Sequence, residues 1–197
     1  MKNLKTKIFI LAVTLITILG SCSKDDAPTV PPITIAPEQR PLFGYLAASG
    51  FNQTTTSFIN STDLEVGYSF IPLTNGKITA IIARIPDVRA SLRATIFDKA
   101  TGGILRTEIL NSATAEIEVV KSITPLDLIK DKEYVISINS NDLFLHKRTD
   151  NANVTYPFTI GDIKITSFVG GSGTNQVIPI SLDLDRYAGD LDFKFQK

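Results

Sequence analysis

The residues best suited to chemistry in this 197-residue sequence are few, because it has one histidine, His146, and one cysteine, Cys22. A single histidine excludes metal sites built from several imidazoles and weakens the case for any serine–histidine–aspartate triad. A single cysteine excludes an intrachain disulfide framework. We therefore expect no catalytic residue, no metal and no cofactor, and a fold that is held together by its core alone.

Four aspartates near the C-terminus, Asp183, Asp185, Asp190 and Asp192, are the other candidates for chemistry. Two carboxylates about 5 to 9 Å apart can hydrolyse a glycosidic bond, and an oxygen-rich cluster can bind calcium. However, Asp183 and Asp192 fall on the polar positions of alternating strands, and the cluster lacks the EF-hand spacing. We predict neither catalysis nor a metal site here, although structural calcium stays an alternative.

Aromatic side chains are the usual platform for a sugar, and this chain has five tyrosines and no tryptophan. Tyr68 and Tyr134 lie within predicted strands and are assigned to the core or the sheet surface. The candidate ligand contacts are the side chains near loops or on an exposed strand face, namely His146, Arg148, Tyr156 and Tyr187. The alternative is that they cap the core, with the tyrosine hydroxyls in water.

The elements that must position these residues begin after a targeting segment. Three lysines precede Ile8–Leu19, an apolar run of twelve residues, which is well short of the roughly 20 that span a bilayer. The residues Leu19-Gly20-Ser21-Cys22 resemble the lipobox of bacterial lipoproteins. The resemblance implies that residues 1–21 are a signal peptide and that Cys22 carries the lipid. Two or three acyl chains anchor far more firmly than one, at roughly 0.8 kcal/mol per buried CH₂.

The residues after Cys22 predict the location of the protein. Ser23, Lys24, Asp25 and Asp26 resemble the acidic export signal of Bacteroidetes surface lipoproteins, which implies the outer membrane with the chain facing the cell exterior. A merely soluble spacer is the alternative. Loss of the signal peptide removes three lysines and no acids, which leaves 17 basic against 20 acidic residues, a net charge of −3. This balance excludes a strongly basic surface for nucleic acid.

A linker and one domain follow. Five of the ten prolines lie within Ala27–Pro41, which favours extended polyproline II, so residues 22–41 are predicted to be a disordered, lipidated linker. Residues 42–197 suffice for one domain with one core.

Apolar and polar residues alternate with a period of two along most of this domain, as expected for half-buried strands. The alternating runs are Glu116–Val119, Asp162–Thr166, Ile178–Asp183 and Leu191–Gln196. Lys77–Ile85 is apolar on both faces and predicts a central strand. About ten strands joined by Gly, Asn and Asp turns predict an all-β, two-sheet antiparallel sandwich of the jelly-roll or immunoglobulin-like kind. One helical turn is expected at Pro125–Lys130.

Four groups of strand and turn residues form a pattern across most of the domain, namely Val66–Phe70, Ala94–Asp98 with Thr101, Gly102 and Leu105, Leu128–Ile138, and Tyr156–Phe158 leading to Gly161–Ile163. These stretches resemble a family of bacterial surface domains of unknown function, which recurs in lipoproteins and beside carbohydrate-active modules. The resemblance implies a β-sandwich and an extracellular role, and it implies no reaction.

These features together predict a non-catalytic binding or adhesion module on the cell surface, attached to the membrane through its lipid. The predicted ligand is a glycan or another surface protein. The alternative is a structural subunit of a fimbria-like or outer-membrane assembly, because sandwich edges accept a donated strand. A hydrolase that uses the C-terminal acids is a third hypothesis.

Overall fold

The computed structural model describes residues 36–197. The predicted signal peptide, Cys22, the export signal and most of the linker therefore lie outside the described residues. The compact unit begins at Ala36. Gln39 exchanges two backbone hydrogen bonds with Phe195, at 2.8 and 2.9 Å, so residues that precede position 42 already pair with the last strand.

Residues 36–197 form one helix and eleven strands. They are α1 (Pro41–Ser49), β1 (Gln53–Pro72), β2 (Gly76–Arg84), β3 (Arg89–Asp98), β4 (Ile104–Ser112), β5 (Val119–Leu128), β6 (Tyr134–Lys147), β7 (Phe158–Ile160), β8 (Ile163–Ser172), β9 (Ser181–Leu182), β10 (Arg186–Ala188) and β11 (Asp190–Gln196).

The strands form two antiparallel sheets. The large sheet has the order β4-β3-β6-β1-β8-β7, with β10 paired to β6 and β9 paired to β8. The small sheet has the order β11-β2-β5, so the prediction of a central strand over Lys77–Ile85 is confirmed. The predicted all-β, two-sheet antiparallel sandwich is also confirmed.

The core lies between the sheets and is rich in aromatic rings. Phe70 of β1 meets Phe193 of β11 with 4.8 Å between ring centroids, and Tyr68 stacks on the same Phe193 ring at 6.3 Å. Leu191, Phe193 and Phe195 are fully buried, as the alternation of β11 predicts. Rings packed this way contribute about 0.5 to 1.5 kcal/mol per pair beyond their buried area.

The polar face of β11 differs from the prediction, which places Asp192 in water. Asp192 is 1 % exposed and Asp190 is also buried, because α1 packs on this face of the small sheet. The helix itself is not predicted by periodicity, although Pro41 in its first turn and Gly50 after its end, with φ of 76°, are typical boundary residues.

Three other predicted elements are wrong. Glu116–Ile117 belong to a loop before β5, and Ile117 is 58 % exposed. Only Ser181–Leu182 of the predicted strand at 178–183 pairs with a neighbour, because Ile178 packs instead on a small cluster with Phe97, Val135 and Val169. The predicted helical turn at Pro125–Lys130 is mostly the end of β5, an edge strand, where proline leaves no ladder bond unmade.

The chain passes from the large sheet to the small sheet at Gly189, between β10 and β11. Gly189 has a φ of 85°, a conformation that residues with a Cβ adopt only at a cost. A Cβ at this position would also lie 2.9 Å from Cγ2 of Val66. This corner places Asp190 at the start of β11, from where its side chain reaches His146 of the large sheet.

Candidate functional site

The four predicted ligand contacts do not form one exposed patch. Tyr187 is 0 % exposed and His146 is 6 % exposed, so the expectations that Tyr187 lies at the surface and that His146 lies on an exposed strand face are both wrong. The physical reason is that β10 pairs with β6 and sets Tyr187 opposite His146, where both rings enter the core with centroids 6.0 Å apart.

Tyr156 and Arg148 remain partly exposed. Tyr45 of α1 lies between Tyr156 and Tyr187, with ring centroids 6.0 and 5.3 Å away respectively, and its hydroxyl hydrogen-bonds that of Tyr156. Arg148 donates to Asp150 and to the backbone oxygen of Ser49. Tyr156 and Tyr187 thus pack on α1 through Tyr45, and Arg148 is held by a neighbouring loop and the end of the helix.

His146 belongs to a polar network that connects the two sheets. Its Nε2 lies 2.5 Å from Oδ1 of Asp190, and Arg84 donates to Oδ2 of the same carboxylate from Nε at 2.9 Å and Nη2 at 2.5 Å. Nδ1 of His146 lies 3.2 Å from the hydroxyl of Thr54, its cross-strand neighbour in the β1–β6 ladder. The Arg84 guanidinium also covers the Phe144 ring at 4.3 Å, a cation–π distance.

Asp192 attaches α1 to β11. Its Oδ1 accepts the backbone N–H groups of Leu42 at 3.2 Å and Phe193 at 2.9 Å, and its Oδ2 accepts Nε of Arg40 at 3.2 Å. The Leu42 N–H is one of the free donors at the start of a helix, so Asp192 supplies the cap that Arg40 does not. Burial nevertheless raises the pKa of Asp192 from 3.8 to about 6, more than these donors lower it.

A cleft of about 340 Å³ opens beside this network. We call it the α1 cleft. It is lined by Leu42, Phe43 and Leu46 of α1, Ile82 and Arg84 of β2, the loop residues Glu116, Ile117 and Glu118, and Asp190 and Asp192 of β11. The helix contributes only apolar side chains, whereas the loop contributes two glutamates beside Ile117, and β2 and β11 contribute Arg84, Asp190 and Asp192 beside Ile82.

Phe43 is the most exposed aromatic ring of the domain, with 72 % of its surface open to solvent. Its neighbour Arg40 places a guanidinium 5.9 Å from the ring centroid and donates to Glu118 at 2.6 Å. An exposed ring above a floor of oriented polar groups is the arrangement that binding sites for small ligands share. The α1 cleft is therefore the candidate functional site.

A second groove, of about 370 Å³, is lined by residues of β1, β8, β9 and β10. Phe168 in its wall is buried, so the groove offers no fully open ring. Asp183 and Asp185 lie near its rim and share Arg186, whose Nε is 2.7 and 2.9 Å away. Burial and the neighbouring Asp185 raise the pKa of Asp183. Among residues 36–197, no three metal-binding side chains come together.

The most exposed side chains of the α1 cleft are not among the predicted site residues. Phe43 lies two positions after Pro41, the first residue of α1. Glu116 lies in a loop whose polar and apolar residues alternate as they do in a strand. The boundary signals Pro41 and Gly50 can reveal the helix. No sequence signal shows that the helix and the loop meet over β11.

Comparison with protein-family models and with curated proteins finds no relative of this chain. No protein-family model matches the chain, and no curated protein matches it at a significant level. The resemblance to a family of surface domains stays a prediction from residues. Within the described part of the chain, no helix is both long and apolar enough to cross a membrane.

Proposed function

We propose that this protein is a surface lipoprotein of the outer membrane, anchored through Cys22, whose sandwich domain binds a glycan in the α1 cleft without catalysis. The lipobox-like sequence supports the lipid anchor, and the geometry of the α1 cleft supports ligand binding. The part of the predicted linker that precedes Ala36, where the compact unit begins, would hold the domain away from the lipid.

The observation that supports glycan binding most directly is the Phe43 ring, which lines the α1 cleft and is exposed to solvent. A sugar ring has apolar faces that stack on an aromatic ring, while its hydroxyls need polar partners at fixed positions. Arg84 is held by Asp190, and Arg40 is held by Glu118. These charged groups are pre-oriented, which lowers the entropy lost on binding.

The alternative of a structural subunit that accepts a donated strand has less support than ligand binding, because the described sheet edges are protected. Lys121 of β5 donates to the backbone oxygen of Ile109 in β4 at 2.9 Å, and Arg106 of β4 donates to that of Thr124 in β5 at 3.3 Å. Gln39 pairs with the edge of β11. Basic side chains on edge strands are a common protection against strand addition, so we favour ligand binding over strand exchange.

The hypothesis of a hydrolase also has less support than ligand binding. Both oxygens of Asp190 are bonded, to His146 and to Arg84. Asp192 is buried and caps the helix. A general acid or a nucleophile must reach the substrate, and these two carboxylates instead connect elements of the fold.

A glycan array probed with the full chain in detergent tests the proposal. We expect the wild type to bind a subset of glycans, and Phe43→Ala to weaken this binding at least about tenfold, equivalent to roughly 1.4 kcal/mol. Phe43→Tyr keeps the ring and should retain binding. Ile129→Ala removes another exposed apolar side chain and serves as the matched control.

Two results would contradict the proposal. An array without any bound glycan would exclude a sugar ligand and leave a surface protein as the partner. Binding that Phe43→Ala leaves unchanged would place the glycan outside the α1 cleft.

A further inference from the structure

The charges around the α1 cleft carry an inference that rests on the proposed function and deepens it. Four carboxyl groups, of Glu116, Glu118, Asp190 and Asp192, face two guanidinium groups, of Arg40 and Arg84. Four against two leaves a formal charge of −2. The potential of such a cleft repels an anionic ligand and attracts a cationic one, because low-dielectric walls strengthen the field of the lining charges.

Most of these acids already have partners. Within residues 36–197, Glu118 pairs with Arg40, Asp190 with Arg84 and His146, and Asp192 with Arg40 and two backbone N–H groups. Glu116 differs from them, because no side-chain hydrogen bond or ion pair joins it to any described residue. Its backbone is fixed by a hydrogen bond from its N–H to Ile85, at 2.9 Å, while its side chain is exposed and lines the cleft.

Phe43 provides a second, independent preference for a cation. The face of an aromatic ring attracts positive charge within about 6 Å of its centroid. The guanidinium of Arg40 at 5.9 Å demonstrates such an approach on this ring. A ligand stacked on Phe43 that carries an ammonium group could therefore satisfy the ring and the free carboxylate of Glu116 together.

We propose that the ligand of the α1 cleft is a saccharide with a free, protonated amino group, and that Glu116 is the residue that selects it. The ammonium donates to the Glu116 carboxylate while the sugar ring covers Phe43. Acetylation of the amine removes both the charge and two of its three donors, and a uronic acid brings a negative charge to a cleft that is already negative.

The test compares three probes by calorimetric titration of the full chain in detergent: a β-1,4-linked glucosamine tetrasaccharide, its N-acetylated counterpart and a tetrasaccharide of glucuronic acid. We expect the amine to bind about tenfold more tightly than the acetylated form, a difference of roughly 1.4 kcal/mol. We expect the uronic acid to bind most weakly. Glu116→Gln should abolish most of the preference for the amine with little effect on the acetylated probe.

Asp127→Asn is the matched control, because it also removes one exposed carboxylate. Among residues 36–197, the side chain of Asp127 pairs only with Lys77, at 3.7 Å. Asp127→Asn should leave the preference unchanged. Equal affinity for the amine and its acetylated form in the wild type would overturn the inference, and so would a preference that survives Glu116→Gln. If Phe43→Ala still weakens binding in either case, the proposed function stands and only the ligand class is wrong.

Discussion

The imidazole of His146 and the carboxylate of Asp190 form a hydrogen bond between the two sheets, with 2.5 Å between Nε2 and Oδ1. His146 lies on β6 of the large sheet and Asp190 lies on β11 of the small sheet. Both side chains are buried. A buried polar pair of this kind costs little while it is complete, but removal of one partner leaves the other unsatisfied.

Asp190→Ala should therefore lower the free energy of unfolding by about 3 kcal/mol, because His146 and Arg84 both lose their acceptor. Asp185→Ala, five positions away, removes a more exposed carboxylate that pairs with Arg186 and should cost less than about 1 kcal/mol. Denaturant unfolding of both variants provides the comparison. Equal losses would show that the network between the sheets adds nothing to stability.

Asp192 should make stability depend on pH. Its folded pKa of about 6 lies above the ordinary value of 3.8, so the folded state holds the proton more tightly than the unfolded chain. The resulting stabilisation is complete below about pH 4 and is lost as the pH rises through 6, with a span of about 3 kcal/mol.

The measurement is the unfolding free energy of the wild type and Asp192→Asn at pH 4, 5, 6 and 7. The wild type should lose about 2.4 kcal/mol relative to the variant across this range, because at pH 4 the unfolded carboxyl is already partly ionised. Parallel profiles would mean that the carboxylate titrates normally in the folded protein.

Gly189 should tolerate no side chain at the corner between the sheets. Gly189→Ala combines a left-handed backbone with a contact to Val66 at 2.9 Å, and should cost about 2 to 4 kcal/mol. Gly173→Ala is the control, because φ is 110° there but a Cβ meets open space. It should cost about 1 kcal/mol. Thermal unfolding that ranks Gly173→Ala as the more harmful change would contradict this account of the corner.

The proposed lipid anchor predicts how the protein fractionates. Cys22→Ser should abolish incorporation of labelled palmitate and release the chain from membranes, because no acyl chain remains to bury. A double change of Asp25 and Asp26 to Asn should preserve the lipid but lower the share that external protease digests on intact cells. Continued palmitate labelling of Cys22→Ser would refute the lipobox assignment.

The all-β class follows from sequence because strand alternation depends only on neighbouring residues. On β11 the period of two correctly predicts that Leu191, Phe193 and Phe195 face the core. The same rule fails for Asp192, because its burial depends on α1, whose residues lie about 150 positions earlier in the chain. Local pattern cannot report such a contact.

The candidate site could not be predicted from the sequence for the same reason. Tyr187 lies beside loops in sequence, yet a three-residue strand turns it into the core opposite His146. Phe43 and Glu116 carry no motif, and they line one cleft only because a helix and a loop converge over β11. Exposure and convergence are properties of the folded chain.

The most direct test of glycan binding in the α1 cleft is a crystal structure of the protein with the tightest saccharide from the array. The account predicts a sugar ring stacked on Phe43, with its polar groups directed to Glu116 and Arg84. A saccharide in the second groove, which β1 and β8 help to line, or on another face with Phe43 left bare, would contradict the proposed function.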